Sequence, residues 1–361
     1  MICKMLNISY PIIQAGMAGG PTTPELVAAV SEAGALGTLG AGYMSPKQIG
    51  EAIHSIQKLT TEPFAVNLFL PQHYEIDEKQ ILKMQQHLNT YRKQLGIPEV
   101  DRVPDRQDLF EQQLQVVIDS GVKIVSFTFD QPSQSLVEML QSAGIIVMAT
   151  ATTVKEAVAL ESSGVDIIVA QGSEAGGHRG TFLNVKDESM IGTMALVPQI
   201  VDTVSCPVVA AGGIMDGRGI AAALTLGASA VQLGTAFLTV EESGASEIHR
   251  QAVLSSCDTD TKITKAFSGK SARGFHNKMM VEVERVGGIP PYPVQHVLTS
   301  DIRKEAARKG NQELISMWAG QASALARKQS AFELVEGLVQ GFKKAVDNVP
   351  KELKQVKRLK P

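Results

Sequence analysis

The stretch PVVAAGGIMDGRGIAAALTLGASAVQLGTAF, Pro207 to Phe237, decides how the rest of the chain is read. From Gly219 to Val240 there is no charge, and the run exceeds the ~20 residues a membrane-spanning helix needs. It also contains Thr225, Gly227, Ser229, Gln232, Gly234 and Thr235, which break it into parts. PVVAAG (207–212) and AVQLGT (230–235) are short apolar runs of strand type. GRGIAAALTLGA (217–228) lies between them and reads as a helix closed by a Gly-Ala turn. Strand, helix and strand in that order predict a βαβ unit with parallel strands, and not a membrane span.

The same alternation continues upstream. PIIQA (11–15), ALGTLG (35–40), FAVNLF (64–69), IVSFTF (124–129), IIVMAT (145–150) and IIVAQG (167–172) are further strand candidates, making eight with the two above. Between them TPELVAAVSEAG, SPKQIGEAIHSIQK, DLFEQQLQVVIDSG, PSQSLVEMLQSAG, TVKEAVALESSG and MALVPQIVDTV have helical patterns. Several start at Ser or Thr and stop at Gly, as at Thr22–Gly34 and Thr153–Gly164. The strands are apolar almost throughout, so both faces are buried, as in a parallel sheet. Eight alternations predict an α/β fold of the closed (β/α)8 TIM-barrel type.

Two segments break the rhythm. Residues 71–105 are polar, rich in Gln and Lys, and read as a helix inserted after the third strand. Residues 259–361 carry no strong strand signal; QELISMWAGQASALA and AFELVEGLVQGFKKAV read as amphipathic helices, and KELKQVKRLKP as a basic, solvated end. The expected division is a barrel from 1–70 and 106–258, with 71–105 plus 259–361 as a smaller helical second domain or lid.

Composition narrows the function. Hydrophobic residues are 44% and charged residues 20% of the chain, enough apolar material for a large core. A net charge of -3 gives no reason to expect nucleic acid or an anionic membrane as partner. Cys3, Cys206 and Cys257 form no CxxC pair, and no signal-peptide pattern opens the sequence, so a cytoplasmic protein is expected. The seven histidines are dispersed and no carboxylate cluster has metal-ligand spacing, so no metal is expected. SGKS (268–271) looks like the end of a P-loop, but position 264 would have to be Gly and is Thr264.

Chemistry in such a barrel gathers where strands end. Gly212-Gly213 and Gly234-Thr235, on the last two strands, offer backbone N–H groups to a phosphate. Tight turns with nothing bound are the alternative. The sixth strand ends in QGSEAGGHRG (171–180). Gly172, Gly176 and Gly177 leave room for a flat ligand, and the Gln171 amide suits a heteroaromatic edge. His178 is placed for proton work near neutral pH, beside Glu174 and Arg179. A structural histidine in a glycine-rich turn is the alternative there.

Taken together, QAGMAGG (14–20), QGSEAGGHRG, AAGGIMDGRGIAAALTLGASAVQLGTAFL (210–238) and FSGKSARG (267–274) resemble the nitronate monooxygenases, once called 2-nitropropane dioxygenases. The match runs from about residue 8 to 275 in the family's order. The resemblance implies one non-covalent FMN per barrel. It implies oxidation of alkyl nitronates, such as propionate 3-nitronate, by O2 to a carbonyl compound and nitrite. Carried over, Asn67, Gln171, Gly176, Gly177, Gly212, Gly213 and the run Gln232, Leu233, Gly234, Thr235 would hold FMN. Ala15, Gly16 and Met17 would line the flavin and His178 would be catalytic. Family members often have Pro where this chain has Gly16. The partners implied are a small-molecule nitronate and O2, with a homodimer left open. Two other readings stand beside this one: an FMN-dependent NAD(P)H reductase of the enoyl-acyl-carrier-protein or quinone type, and a non-catalytic flavin or phosphate binder.

Overall fold

The computed structural model describes residues 2–72, 74–75, 77–101, 108–183 and 189–348. The chain opens with α1 (Ile2–Leu6), β1 (Ile12–Gln14), α2 (Pro24–Glu32), β2 (Gly37–Gly40), α3 (Pro46–Leu59) and β3 (Phe64–Phe69). It continues with α4 (Glu78–Leu95), α5 (Phe110–Asp119), β4 (Ile124–Thr128), α6 (Gln134–Ser142), β5 (Ile146–Ala151), α7 (Val154–Ser162) and β6 (Ile167–Gln171). Next come β7 (Gly177–His178), α8 (Thr193–Val201), β8 (Val208–Ala211), α9 (Gly217–Thr225), β9 (Ala230–Leu233) and α10 (Glu247–Leu254). The last part holds β10 (Thr261–Thr264), β11 (Ala272–Phe275), α11 (Lys278–Val286), α12 (Val294–Leu298), α13 (Ser300–Arg308) and α14 (Ala331–Asp347).

Caps written in the sequence start most of the shell helices. Thr23, Ser45, Ser133 and Thr153 each accept a backbone N–H of the helix they precede, and Ser45 forms a reciprocal capping box with Gln48. The eight expected strands are present, with ends moved by no more than about two residues. All pair in parallel in the order β1-β9-β8-β6-β5-β4-β3-β2, and a parallel bridge from Ile13 to Leu36 brings the two edges together. The chain is a TIM barrel. The charge-free run 219–240 is divided between α9, a turn, β9 and a 3-10 turn over Thr235–Leu238. Among the described residues no helix is long and apolar enough to cross a membrane.

Two apolar shells follow from the period of two along each strand. Val66, Leu68, Val125, Phe127, Ile168, Ala170, Val231 and Leu233 face outward into the shell of helices. Ile13, Leu36, Ala65, Ile124, Ile167, Val169, Val209 and Ala230 face inward, and Ile2 and Leu6 of α1 join that inner cluster. Further up the inward face the residues turn polar: Asn67, Ser126, Thr150, Gln171 and Gln232 line the cavity at the strand ends.

The tail departs from the expectation in two ways. It contains strands: β10 pairs antiparallel with β11, and β11 with β7. The segment read as an amphipathic helix, 312–326, is instead two short 3-10 turns, Gln312–Leu314 and Ser323–Leu325, with extended chain between them. Gly320 in its middle, together with backbone contacts to the barrel, favours that extended course. AFELVEGLVQGFKKAV does form a helix, α14, but α14 packs against α9 and α2 in the shell of the barrel. A Cβ on Gly217 would lie 2.0 Å from the Phe342 backbone nitrogen, so glycine there permits this close crossing of α9 and α14. α14 therefore fills the eighth helix position, and the barrel takes back the end of the tail.

The inserted helix α4 is tied to the rest of the tail. Arg92, almost wholly buried, donates through Nε to Asp301 (2.8 Å), through Nη2 to the Leu298 carbonyl (2.7 Å) and through Nη1 to Gln85 (2.7 Å). Tyr91 donates to Glu282 at 2.8 Å. So α4, α11 and α13 pack together through polar contacts. The basic end 351–361 lies outside the described residues.

Candidate active site

A cavity opens at the carboxyl ends of the strands, with about 1300 Å³ of empty space including its mouth. Every expected cofactor residue lines it except Leu233, and His178 lines it as well. Leu233 is the correction: it follows inward-facing Gln232 by one residue, so its side chain points out into the helical shell. Its carbonyl accepts the Ala15 N–H at 2.8 Å.

The polar floor is partly engaged already. Asn67 Nδ2 donates at 3.2 Å to the Ser126 carbonyl, the Ser126 hydroxyl and the Thr128 hydroxyl. Its carbonyl oxygen takes no part in these bonds. Thr38 Oγ1 is buried without a hydrogen-bond partner. A Cβ on Gly16 would come within 2.7 Å of Asn67 Cβ and 3.2 Å of Thr38 Cγ2. Glycine at 16 thus gives Asn67 the space it occupies.

The loop Gln171–Gly180 answers differently from its sequence reading. Gln171 uses both ends of its amide on its own loop, donating to the His178 carbonyl (3.0 Å) and accepting from Gly180 N (2.8 Å). It pins the loop more than it presents an edge to a ligand. Glu174 turns away from His178. Its carboxylate accepts Thr193 N and Thr193 Oγ1 at 2.9 Å and caps α8, whose own N-cap residue is Gly192. Arg179 is buried and donates to the carbonyls of Gln171, Thr152 and Ser189. Both charged neighbours of His178 are structural.

His178 itself sits in β7, paired with Ala272 of β11. The motif FSGKSARG grips this loop at three points. Ser268 Oγ lies 2.8 Å from His178 Nε2, Lys270 Nζ donates to the Thr181 carbonyl (2.6 Å), and Arg273 Nε donates to the Ser173 carbonyl (3.0 Å). When Ser268 donates to the Lys270 carbonyl (3.1 Å), Nε2 carries the imidazole proton and Nδ1 is the ring acceptor. Phe129, Tyr292 and Trp318 surround the ring, with centroids 5.6, 5.9 and 5.3 Å away. Burial, and after it the charges of Lys270 and Arg303, push the His178 pKa down to about 3. The imidazole is therefore neutral at physiological pH. The expectation of a group titrating near pH 7 is corrected by the aromatic walls and the two cations.

At the other end of the cavity the glycines gather. Gly212 and Gly213 have φ of 109° and 72°, and a Cβ on Gly212 would come within 3.0 Å of the Gly172 carbonyl oxygen. The helix that follows does not contribute an open N-terminus, because Asp216 caps α9 through Arg218 N and Gly219 N. What remains is a loop cradle of Gly212, Gly213, Gly234 and Thr235, as a phosphate requires. Beyond it Trp318, Gly320 and Ala322 close the wall.

Several lining residues escaped the sequence reading. Phe69 shares the phase of Asn67 on β3, so the period of two could have found it. Phe129 adopts φ of 86°, a conformation rare outside glycine, and no local residue pattern announces it. Trp318, the chain's only tryptophan, lay in the segment misread as helix. Among the described residues no group of three His, Cys, Asp or Glu could hold a metal ion.

A closed parallel barrel with a ligand cavity at its strand ends and a histidine beside a glycine cradle defines a barrel enzyme of small-molecule chemistry. A family model described as nitronate monooxygenase matches residues 1–341. A probable nitronate monooxygenase of Staphylococcus haemolyticus is 52% identical over 346 residues, covering 95% of this chain and 96% of that protein. A solved structure of nitroalkane oxidase from Streptomyces ansochromogenes aligns with a TM-score of 0.90 at 39% identity, over 96% of this chain and 99% of that one. FabK from Thermotoga maritima aligns with a TM-score of 0.76 at 28% identity, over 98% and 97%. The chain belongs to the nitronate monooxygenase family and is an oxidoreductase.

Proposed function

We propose that the protein is an FMN-dependent enzyme that oxidises alkyl nitronates with O2 to a carbonyl compound and nitrite. The observation that carries this is the composition of the cavity. His178, neutral and walled by aromatics, stands at one end and the glycine cradle at the other, and among the described residues no Asp, Glu, Lys or Arg lines the space between. The donor set fits FMN. Asn67 lies on the cavity floor, Ala15–Met17 form one side, and Gly213 and Gly234 leave a phosphate unobstructed. FMN would supply electron transfer from the substrate and reactivity with O2. The protein's own part is to bind and orient. When Ser268 donates to Nε2 instead, neutral His178 carries its one proton on Nδ1 and can give it to a nitro oxygen, and the aromatic walls exclude water. On this reading 71–105 and the tail up to α14 form the smaller unit over the site, and the enzyme works in the cytoplasm without a metal.

Turnover of purified protein with propionate 3-nitronate, with and without NADPH, tests the reading. Nitrite release that consumes O2 and needs no NADPH is expected. Trp318 lies 5.3 Å from His178, so flavin binding should also quench the single tryptophan's emission. The FabK resemblance favours the second reading, an FMN-dependent NAD(P)H reductase. Rapid anaerobic bleaching of the flavin by NADPH, without nitronate turnover, would establish that one instead.

A further inference from the structure

The segment 317–322 crosses the cavity wall at the phosphate cradle, and several of its backbone groups are held by other parts of the chain. The Met317 carbonyl accepts Phe275 N at 2.9 Å, and the Trp318 carbonyl accepts His249 Nε2 at 2.9 Å. Ala319 N donates to the Arg273 carbonyl (3.3 Å) and Gln321 N to the Glu174 carbonyl (3.0 Å). Gly320 N donates to Thr235 Oγ1 at 2.9 Å. A carbonyl only accepts, so His249 carries its proton on Nε2, and burial holds its pKa below the ordinary value.

Three glycines from three separate parts of the chain make this contact possible. A Cβ on Gly176 would lie 2.6 Å from the Ala319 carbonyl carbon and Gly320 nitrogen. One on Gly274 would lie 2.6 Å from the Met317 carbonyl oxygen, and one on Gly320 2.8 Å from the Glu174 carbonyl oxygen. The segment is therefore laid backbone to backbone on the loop that ends β6 and on β11. Trp318, Gly320 and Ala322 line the same cavity as Gly212, Gly213, Gly234 and Thr235.

The Gly320–Thr235 bond has a chemical consequence. Thr235 Oγ1 accepts from Gly320 N, which leaves its own hydroxyl proton for another acceptor. A phosphate in the cradle is such an acceptor. A charge-assisted bond from Thr235 would draw the hydroxyl oxygen, and with it Gly320, toward the anion.

We propose that Trp318–Ala322 is a strap that forms the outer wall of a phosphate-monoester site, with Gly320 reaching the phosphate through the Thr235 hydroxyl, so that the strap tightens only on a phosphorylated flavin. This rests on the FMN reading above. It adds that the tail, and not the barrel alone, retains the cofactor, and that riboflavin lacks the group that closes the strap.

Hydrogen exchange followed by mass spectrometry on the full-length chain tests this, with the flavin removed and then with FMN, riboflavin or inorganic phosphate added. Flavin binding is measured in parallel by quenching of flavin fluorescence. FMN should slow exchange of the Gly320 and Gln321 amides about tenfold or more, the scale of one charge-assisted hydrogen bond, and bound riboflavin should not. Thr235→Val should abolish that protection and weaken FMN about tenfold while leaving riboflavin affinity unchanged. Thr235→Ser should restore both. If FMN binds and the strap amides exchange as they do without it, or as they do with riboflavin, the strap proposal is wrong and the FMN reading stands. If neither flavin binds, the FMN reading fails and the strap proposal fails with it.

Discussion

Titration of the protein between about pH 5 and 9 should leave His178 silent, although an ordinary imidazole would change charge there. The perturbation is pH alone, and its size follows from the site. At its ordinary value of about 6.5 a histidine is mostly protonated at pH 6, whereas at about 3 only about one molecule in a thousand is. The folded value lies below the unfolded one. As pH falls, the unfolded chain takes up a proton near 6.5 and the folded protein does not until about 3. The stability that His178 contributes is thus complete above pH 6.5 and drains away down to about pH 3, by at most ~5 kcal/mol for a shift of this size. The ring keeps one side toward the cavity, so that figure is a ceiling. Urea unfolding at pH 7 and pH 4.5, for the parent and His178→Gln, should show the parent losing more stability on acidification. The kcat/KM profile for a nitronate, which reports the free enzyme, should lack an inflection near 6.5. An inflection near 6.5 that vanishes in His178→Gln would refute the argument that aromatic burial and the Lys270 and Arg303 charges hold the ring neutral.

His178→Ala should keep normal flavin content and lose about tenfold or more in nitronate turnover, the scale of one hydrogen bond to a charged group; unchanged rates would return the residue to a structural role. Gly213→Leu should lower FMN occupancy in the purified protein, measured from the flavin-to-protein absorbance ratio, because the position has φ of 72° and faces the cradle. Asn67→Ala should weaken FMN by ~1 kcal/mol, about fivefold in Kd, whereas Gln171→Ala should chiefly loosen the His178 loop and slow turnover at saturating FMN. Arg92→Ala leaves Asp301 and the Leu298 carbonyl without their buried partner and should cost ~3 kcal/mol in unfolding experiments; a loss under about 1 kcal/mol would mean that α4 is held by its apolar face alone.

The barrel was legible because its signals are local. Apolar runs such as IIVAQG and PVVAAG, with Ser or Thr before several helices and Gly after them, announce eight βα units whatever the tertiary context. Most of the cavity floor was legible for the same reason, since Asn67, Gln171 and Gln232 are polar residues at the ends of apolar strands. Leu233 came with the run carried over from the family resemblance, and its side chain faces the helical shell because a strand shows alternate residues to opposite faces. The tail was not legible. β11 exists because its edge pairs with β7, its Arg273 carbonyl accepts Ala319 N and its Phe275 N–H donates to the Met317 carbonyl, partners remote in sequence. The 317–322 segment is extended because Gly176 and Gly274 let its backbone dock, and nothing in MWAGQA itself records that. The state of His178 was hidden likewise: its pKa is set by Lys270 and Arg303, which no spacing rule places beside residue 178.

These facts bear on the form in which substrate arrives. Removing a proton from carbon needs a base whose pKa lies near the working pH. Among the described residues the cavity lining contains no Asp, Glu or Lys, and of its two histidines His178 is held at about 3 and burial lowers His249 below the ordinary value, so neither has much proton affinity at working pH. The same surroundings suit a substrate that is already an anion. Lys270 and Arg303 lie close enough to bias His178 by charge without lining the cavity, so they favour an anion there without offering it a contact ion pair. An anion beside the imidazole would in turn raise its pKa, favouring a second ring proton, and so a second N–H donor, only when substrate is present. A neutral nitroalkane gains none of this, and must still lose its proton to a weak base. On the proposed reading, the electrostatics around the cavity would favour the nitronate over its conjugate acid, with the histidine as a hydrogen-bond donor to a charge that the substrate brings.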